Sequence, residues 1–131
     1  MLRECKKSYI EREHNTQKAF FKWLTLRHPF YRRLTFAIPN GGKRDLITAT
    51  RLKEVGVTAG VPDVFFSLPN DTYHGLYIEF KDGRNKLTKP QAQMKLVLEN
   101  AGYRHEICYD WEEAKKAFER YVNGRESYFT N

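Results

Sequence analysis

The chain has 131 residues, of which 40% are hydrophobic and 15% aromatic, enough for one compact domain with a hydrophobic core spanning residues 1–131. No apolar run approaches the length of a membrane span, and the two isolated cysteines, Cys5 and Cys108, exclude a disulfide framework. We therefore expect a cytoplasmic protein in a reducing compartment. The formal net charge of +7 favours a polyanionic partner, of which nucleic acid is the commonest.

The N-terminal third predicts a helix, a strand and a second helix. Between residues 10 and 26, apolar and polar residues recur at helical spacing on one face: Ile10, Glu13, Gln17, Phe20 and Leu24. His28-Pro29 ends this helix. Residues 34–38 predict a short strand, and the glycine-rich run 39–44 a turn. Residues 45–56 then predict a short helix that Gly56 closes.

The remaining chain predicts two adjacent strands, a helix, a strand and a last helix. The strands are expected at 63–68 and 75–81. Thr88 and Gln91 form a capping-box pattern before a helix whose stripe comprises Gln91, Met94, Leu98 and Ala101. Residues 103–109 predict a strand. Asp110 and Glu113 form a second capping box, before a stripe of Trp111, Ala114, Phe118 and Tyr121. The order of elements is typical of a single α/β domain with a mixed sheet.

Charged residues stand at unexpected places in the two central strands. If these strands form a hairpin centred near Asp71, residues whose numbers sum to 142 face each other, and Asp63 lies opposite Glu79. Lys81 shares the face of Glu79. Two carboxylates held together need a proton, a lysine or a metal ion, and Mg²⁺ is commonly bound by one or two carboxylates with water and substrate phosphate. The pattern predicts a cation site for phosphate chemistry.

An ordinary salt bridge between Lys81 and one acid is the alternative interpretation. Three further polar residues argue for a shared polar site, because each lies on an otherwise apolar helix stripe. Glu13 and Gln17 lie on the first helix, and Gln91 begins the stripe of another.

These residues match a known family pattern. Pro62-Asp63 followed by Glu79-Phe80-Lys81 resembles the PD-(D/E)xK nuclease signature. The sequence is more similar still to the virus-type replication-repair nuclease (VRR-NUC) domain of stand-alone type. That likeness covers most of the chain, through Glu13-x-x-x-Gln17, Asn40-Gly41-Gly42, Gly56-Val57, Gly60-Val61-Pro62-Asp63, Gly75 to Lys81, Gln91 and Gly102-Tyr103.

The resemblance implies an αβββαβ core with a mixed central sheet flanked by helices, and a set of site residues. Asp63, Glu79 and the backbone carbonyl of Phe80 would bind Mg²⁺ or Mn²⁺. Lys81 would be the catalytic lysine. The remaining catalytic candidates are Glu13, which would approach the metal from the first helix, and Gln91, which would support the site; Gln17 is a weaker candidate. The resemblance further implies a homodimer that cleaves branched DNA such as four-way (Holliday) junctions.

Five basic residues are candidates for DNA binding. Arg84, Lys86 and Lys89 surround the loop that follows the predicted active-site strand, and Lys43 and Arg44 follow the glycine-rich turn. Each group has a simpler interpretation as solvated loop or turn residues. The rival functions are a flap- or end-directed repair nuclease, a non-catalytic DNA-binding module and, least compatible with the positive charge, a small-molecule phosphatase.

Overall fold

The computed structural model describes residues 2–39 and 46–130, and the side chains of residues 8–39 and 46–124. In these ranges the chain forms five helices and four strands in mixed order, which confirms the expected α/β class. The helices are α1 (Leu2–Arg27), α2 (Pro29–Arg32), α3 (Leu46–Glu54), α4 (Lys89–Asn100) and α5 (Trp111–Thr130); the strands are β1 (Thr35–Ala37), β2 (Val64–Phe66), β3 (Leu76–Phe80) and β4 (Arg104–Cys108).

The four strands form one sheet in the order β1-β2-β3-β4. The first three are antiparallel, whereas β4 runs parallel to β3, as a mixed sheet requires. Val64 pairs with Ile78 and Phe66 with Leu76, the register predicted from the hairpin. Extending this register by one residue sets Asp63, just before β2, opposite Glu79.

One face of the sheet packs against α1 and α5 to form the core. Phe66 and Phe118 lie at its centre, with their ring centroids 4.7 Å apart. The fully buried hydrophobic residues include Phe20, Leu24, Val64, Phe66, Leu76, Ile78, Ala114 and Phe118. The stripes of α1 and α5 are thus confirmed where they meet the sheet. Trp111 is only partly buried, and Ile10 is 53% exposed. The expectation that Ile10 packs inward is wrong, because the fully buried part of α1 among the described residues lies further along the helix, at Phe20 and Leu24.

Both predicted capping boxes hold a helix start, in slightly different ways. The Thr88 hydroxyl accepts from the Gln91 N–H at 3.3 Å, and the Gln91 carbonyl Oε1 accepts from the Thr88 N–H at 2.9 Å. At α5, Asp110 accepts from the Glu113 N–H at 2.7 Å, but the Glu113 carboxylate accepts from the Tyr109 N–H instead, at 2.6 Å. In the second box, the Glu113 carboxylate therefore binds the backbone N–H of the residue before Asp110 rather than that of Asp110 itself.

Several details of the predicted elements needed correction. The short helix α2 was not expected, because His28-Pro29 ends α1 but Pro29 also suits the first turn of a new helix. No residue of α4 is buried, and Ala101 of its predicted stripe is exposed, since α4 packs along β4 at the sheet edge. The predicted glycine-rich turn lies mostly outside the described residues. No described helix is apolar over a length sufficient to cross a bilayer.

A buried histidine on β4 makes the fold sensitive to acid. His105 is 5% exposed, its Nδ1 atom has no hydrogen-bond partner among the described residues, and α4 places Lys95 and Glu99 near it. Burial lowers the pKa of His105 below its ordinary 6.5. Below that pH the unfolded chain binds a proton that the folded chain does not, so stability falls as the pH falls.

We expect His105→Leu to weaken this acid sensitivity. Between pH 7 and pH 5 the free energy of unfolding should drop less in the variant than in the wild type, by about 1 kcal/mol, since one proton costs at most about 1.4 kcal/mol per pH unit. Urea unfolding at the two pH values measures the difference. Equal drops in the two proteins would show that His105 does not titrate with folding.

Candidate active site

Asp63 and Glu79, the two acids of the central strands, line a cleft of about 480 Å³. Glu13 from α1, Asp63 before β2, Glu79 from β3 and Gln91 from α4 all line it. Its walls come from α3, from the segment 57–60 and from the start of α4. Four elements distant in sequence thus bring together four of the five predicted catalytic side chains in one cleft. The fifth, Lys81, interacts electrostatically with Glu13 and Glu79.

Glu79 is the most deeply buried acid of the cleft. It is 2% exposed, and its Oε1 accepts a hydrogen bond from Gln91 Nε2 at 3.0 Å. Its Oε2 is buried without a hydrogen-bond partner among the described residues. Burial and, after it, the neighbouring Asp63 carboxylate raise the pKa of Glu79 to about 9, although Lys81 partly offsets them. Without a cation, this carboxyl therefore keeps its proton at neutral pH.

Asp63 is fixed between two strands. Its Oδ2 accepts from the Phe80 N–H at 2.8 Å, and its backbone carbonyl accepts from the Ile38 N–H at 2.7 Å. The side chain therefore lies beside the backbone that follows Glu79, as the hairpin register predicted. A carboxylate oriented by a backbone donor in this way is a preorganised ligand, because its rotamer is set before any ion or substrate binds.

Glu13 and Lys81 complete the charge balance. The Oε2 atom of Glu13 is buried and has no hydrogen-bond partner among the described residues. Burial raises the pKa of Glu13, and Asp63 adds to the rise, whereas Lys81 lowers it. Lys81 is only 9% exposed, and its backbone N–H donates to Cys108 at 3.0 Å. The buried cation Lys81 is thus outnumbered by the acids that line the cleft, which are Glu13, Asp63 and Glu79.

Sequence reasoning missed an ion pair that anchors α1 to this site. Arg12 Nη2 lies 2.6 Å from Asp82 Oδ2, and Arg12 Nε donates to the same oxygen at 2.7 Å. Asp82 directly follows Lys81, and Arg12 directly precedes Glu13. The pair therefore fixes α1 where Glu13 must enter the cleft. The two residues are 70 positions apart in the sequence. The one sequence signal for the pair is that each is adjacent to a predicted site residue, Arg12 to Glu13 and Asp82 to Lys81.

The close approach of Gly60 to α4 was also missed. A Cβ atom at Gly60 would lie 2.4 Å from the Pro90 carbonyl oxygen and 3.0 Å from the Gln91 nitrogen. Gly60 also adopts φ +87°, a conformation that L side chains rarely take. This contact presses the segment leading into Asp63 against the helix that carries Gln91, so it sets the width of the cleft.

We expect Gly60→Ala to destabilise the fold more than Gly56→Ala, by about 1–3 kcal/mol, the usual cost of overpacking. Gly56 is the matched control, since its φ is +99° but a Cβ there meets nothing within 4 Å. Both variants carry the strain of positive φ, and only Gly60→Ala adds the clash with Pro90. Chemical denaturation of the two variants measures the difference, and equal losses would contradict the clash.

The donor set fits a hard divalent cation. Mg²⁺ and Mn²⁺ prefer carboxylate, carbonyl and water oxygens, and the cleft offers Asp63 and Glu79 with the Phe80 backbone beside them. The unpartnered oxygens of Glu13 and Glu79 are sites that a cation, or water bound to it, would satisfy. Within the described residues, no three His, Cys, Asp or Glu side chains are grouped to hold a metal alone. A cation here would therefore need water or substrate oxygens as further ligands.

The predicted DNA-binding residues are less concentrated than the catalytic ones. Arg84 and Lys86 are exposed on the segment between β3 and α4, and Lys89 is exposed at the first position of α4; Thr88, between them, lines the cleft. Lys43 and Arg44 lie outside the described residues. Gln17 is half-buried but lines a neighbouring cleft rather than the one with the carboxylates. Lys53 of α3, not anticipated from the sequence, lines the carboxylate cleft.

The mixed four-stranded sheet, with acids at the ends of β2 and β3 and a lysine after them, is the arrangement of a PD-(D/E)xK nuclease-like fold. Among solved structures, this chain is similar to a protein described as "VRR_NUC domain protein", with a TM-score of 0.73 and 25% sequence identity over 85% of this chain and 88% of that one. No family model matches the sequence, and neither does any curated protein. The chain therefore has a VRR-NUC nuclease-like fold, and the likeness supports a nuclease-type domain.

Proposed function

We propose that this protein is a divalent-metal-dependent endonuclease that hydrolyses phosphodiester bonds in branched DNA. The observation that carries the proposal is the buried, cation-deficient cleft. Glu79 has an unpartnered oxygen and a pKa raised to about 9, with Asp63 and Glu13 close by. A protein retains such an arrangement at a cost in stability, and perturbed acids in a cleft are typical of catalytic sites.

Each residue of the cleft has a definite task in this reaction. Asp63, Glu79 and the Phe80 carbonyl would hold Mg²⁺ or Mn²⁺, which supplies Lewis acidity to the scissile phosphate and the attacking water. Gln91 holds the Glu79 carboxylate in its orientation through Oε1. Lys81 stabilises the negative charge that grows on the phosphate oxygens as water adds to phosphorus and one ester P–O bond breaks.

Glu13 has a supporting role at the same site. Its raised pKa makes it a candidate acceptor for the proton that the attacking water gives up, directly or through a second water. The Arg12–Asp82 ion pair keeps it in position. Glu13 is therefore a proton acceptor on the water side of the phosphate, opposite in charge to Lys81.

DNA is the substrate that fits the surroundings of the cleft. The chain carries 23 lysines and arginines against 16 acids. The exposed cations Arg84, Lys86 and Lys89 lie in sequence between Lys81 and the cleft residue Pro90, and we expect them to contact phosphates flanking the scissile bond. Lys53 of α3 adds a cation to the lining of the cleft.

We also propose that the active form is a homodimer, since two sites related by a two-fold axis match a symmetric junction. Support comes from apolar residues that the single chain leaves exposed on α3 and α4. They include Leu46 (82%), Ile47 (68%), Leu96 (63%) and Val97 (61%). Helices with this composition on a monomer surface are typical of faces that another protein chain covers.

Cleavage of a cruciform plasmid tests the activity and the dimer together. We expect Mg²⁺ or Mn²⁺ to support cutting at the cruciform and EDTA to abolish it, while the relaxed plasmid stays intact. Paired incisions by a dimer release linear product, whereas single incisions leave nicked circles. Equal cutting of linear duplex or flap DNA would favour the end- or flap-directed alternative. Binding without cutting under either metal would overturn the nuclease proposal.

A further inference from the structure

A second cleft, of about 440 Å³, lies between α1 and the edge strand β1. It shares no lining residue with the carboxylate cleft, but the chain connects the two at two places. Gln17 in this second cleft follows Glu13 by one helical turn, a rise of about 6 Å. Ile38, just beyond β1, donates its N–H to the Asp63 carbonyl at 2.7 Å. A strand bound at the carboxylates would therefore pass close to this second cleft.

The second cleft is cationic. Lys18 and Arg32 line it, and no carboxylate is among its described lining residues. Arg32 is held rigidly, since Nη1 donates to the Thr35 carbonyl at 2.9 Å and the guanidinium carbon lies 4.6 Å from the centre of the Phe21 ring. Arg32 forms no ion pair with a carboxylate in the described part of the chain. A fixed guanidinium with unused donors is a preorganised site for a phosphate.

An aromatic ring lies beside these cations. Phe36 of β1 is 48% exposed although it lies in a sheet. Its ring meets Phe65 edge to face, with the centroids 5.7 Å apart, and Phe65 stacks on Tyr77 at 4.4 Å. The row of rings packs against Phe36 on one side, and Phe36 also lines the second cleft. Exposed rings next to cations are platforms on which unpaired bases stack.

We propose that this second cleft binds one unpaired nucleotide of the DNA substrate, with its base on Phe36 and its phosphate on Arg32 and Lys18. The proposal rests on the nuclease function above and adds to it a means of substrate choice. A base inside a duplex has both faces covered by its neighbours, so this site selects DNA whose pairing is interrupted beside the cut.

Two matched pairs of variants test the site. Phe36→Ala and Lys18→Ala alter the cleft. Phe30→Ala removes an aromatic side chain that is 64% exposed on α2, and Lys22→Ala removes an exposed lysine one turn further along α1; neither residue lines the cleft. Fluorescence anisotropy in EDTA, where the DNA stays intact, gives Kd for a fork with one unpaired arm and for a matched duplex. Thermal unfolding verifies that all four variants fold.

The two cleft variants should bind the fork more weakly and the matched duplex almost as well as the wild type does. Phe36→Ala should weaken fork binding by about 5- to 150-fold, the range for loss of one base–aromatic stack, and leave duplex binding within about twofold. Lys18→Ala should lower the slope of log Kd against log salt for the fork by about 0.7, one phosphate contact to a single strand. Phe30→Ala and Lys22→Ala should match the wild type.

A spectroscopic measurement makes the assignment specific to stacking. A 2-aminopurine placed at successive positions of the unpaired arm should change its emission at one position on binding, and Phe36→Ala should abolish that change. If Phe36→Ala and Phe30→Ala bind the fork equally, the proposed site is overturned even when the protein cleaves DNA. If no metal supports cleavage but the fork selectivity depends on Phe36, the nuclease proposal fails and the nucleotide site stands.

Discussion

Glu79→Gln should reduce metal-dependent cleavage by about 10³-fold or more while making the metal-free protein more stable. The activity loss follows from removing a carboxylate ligand of the cation, which contributes several kcal/mol to charge stabilisation in the transition state. The stability gain has a separate cause. Glu79 is 2% exposed, and its Oε2 has no hydrogen-bond partner among the described residues. At pH 7 the unfolded chain has lost the Glu79 proton that the folded chain must hold, since the folded pKa is about 9, and replacing Glu79 by a neutral amide removes this cost, which is about 1–3 kcal/mol.

Glutamine is the informative replacement at this position. Its carbonyl oxygen can still accept from Gln91 Nε2, as Glu79 Oε1 does at 3.0 Å. Its amide can donate toward the Asp63 carboxylate, as the O–H of protonated Glu79 can in the metal-free wild type. The variant thus keeps the shape of the cleft and changes only its charge and donor pattern.

Two measurements separate the effects. Single-turnover cleavage of the branched substrate gives the activity, and urea unfolding in EDTA gives the stability. Glu99→Gln is the matched control on the surface of α4. Its ion pair with Lys95, at 2.8 Å, is an exposed i, i+4 pair worth about 0.2–0.5 kcal/mol, so both quantities should stay near the wild type. A Glu79→Gln protein that still cleaves DNA would remove Glu79 from the site.

The sequence was sufficient for those parts of the site that depend on local rules. The alternation of β2 and β3 and the short loop between them predicted the pairing of Val64 with Ile78, and hence the approach of Asp63 to Glu79. The capping box at Thr88 predicted where α4 begins. Gln91 then followed as the polar residue at the start of that helix that faces the acids, as its hydrogen bond to Glu79 confirms.

Contacts between distant segments were beyond such rules. Nothing local to Gly60 indicates that Pro90 will approach within 2.4 Å of its missing Cβ. Periodicity predicted that Ile10 would share the buried face of Phe20, but spacing along a helix does not reveal how far its partners extend, and Ile10 is 53% exposed. The same limit concealed the second cleft, because Arg32 and Phe36 become neighbours of Lys18 only when β1 packs beside α1.

The buried acids of the cleft explain why a lysine lies beside them. Glu13 and Glu79 both have raised pKa values owing to burial, and Lys81 lowers each of them. Lys81 therefore helps the acids to lose their protons, which a metal ligand must do. A metal ion would do the same more strongly once bound. A bound metal ion and Lys81 would then both interact with the acids, and Lys81 does so without a metal ion.

If Lys81 and the metal ion have these different roles, Lys81→Met should reduce the cleavage rate with little effect on metal binding. Cleavage at saturating Mg²⁺ should fall about 10²–10³-fold, because the charge developing on the phosphate loses its stabilising cation. Mg²⁺ affinity should stay within about tenfold of the wild type, since the acids rise in pKa but a repelling neighbour of the metal is removed. By contrast, Glu79→Gln should reduce both the cleavage rate and the affinity for Mg²⁺. Titration calorimetry with Mg²⁺ and single-turnover cleavage measure the two quantities.

Lys86→Met provides the comparison that identifies Lys81 as catalytic rather than merely basic. Lys86 is exposed on the segment after β3, so its loss should raise KM and reduce the salt dependence of binding with little change in kcat. Lys81 is 9% exposed and lies among the acids, so its loss should act on kcat. If Lys81→Met instead raised KM alone, Lys81 would be one more phosphate contact, and charge stabilisation at the scissile bond would fall to the metal.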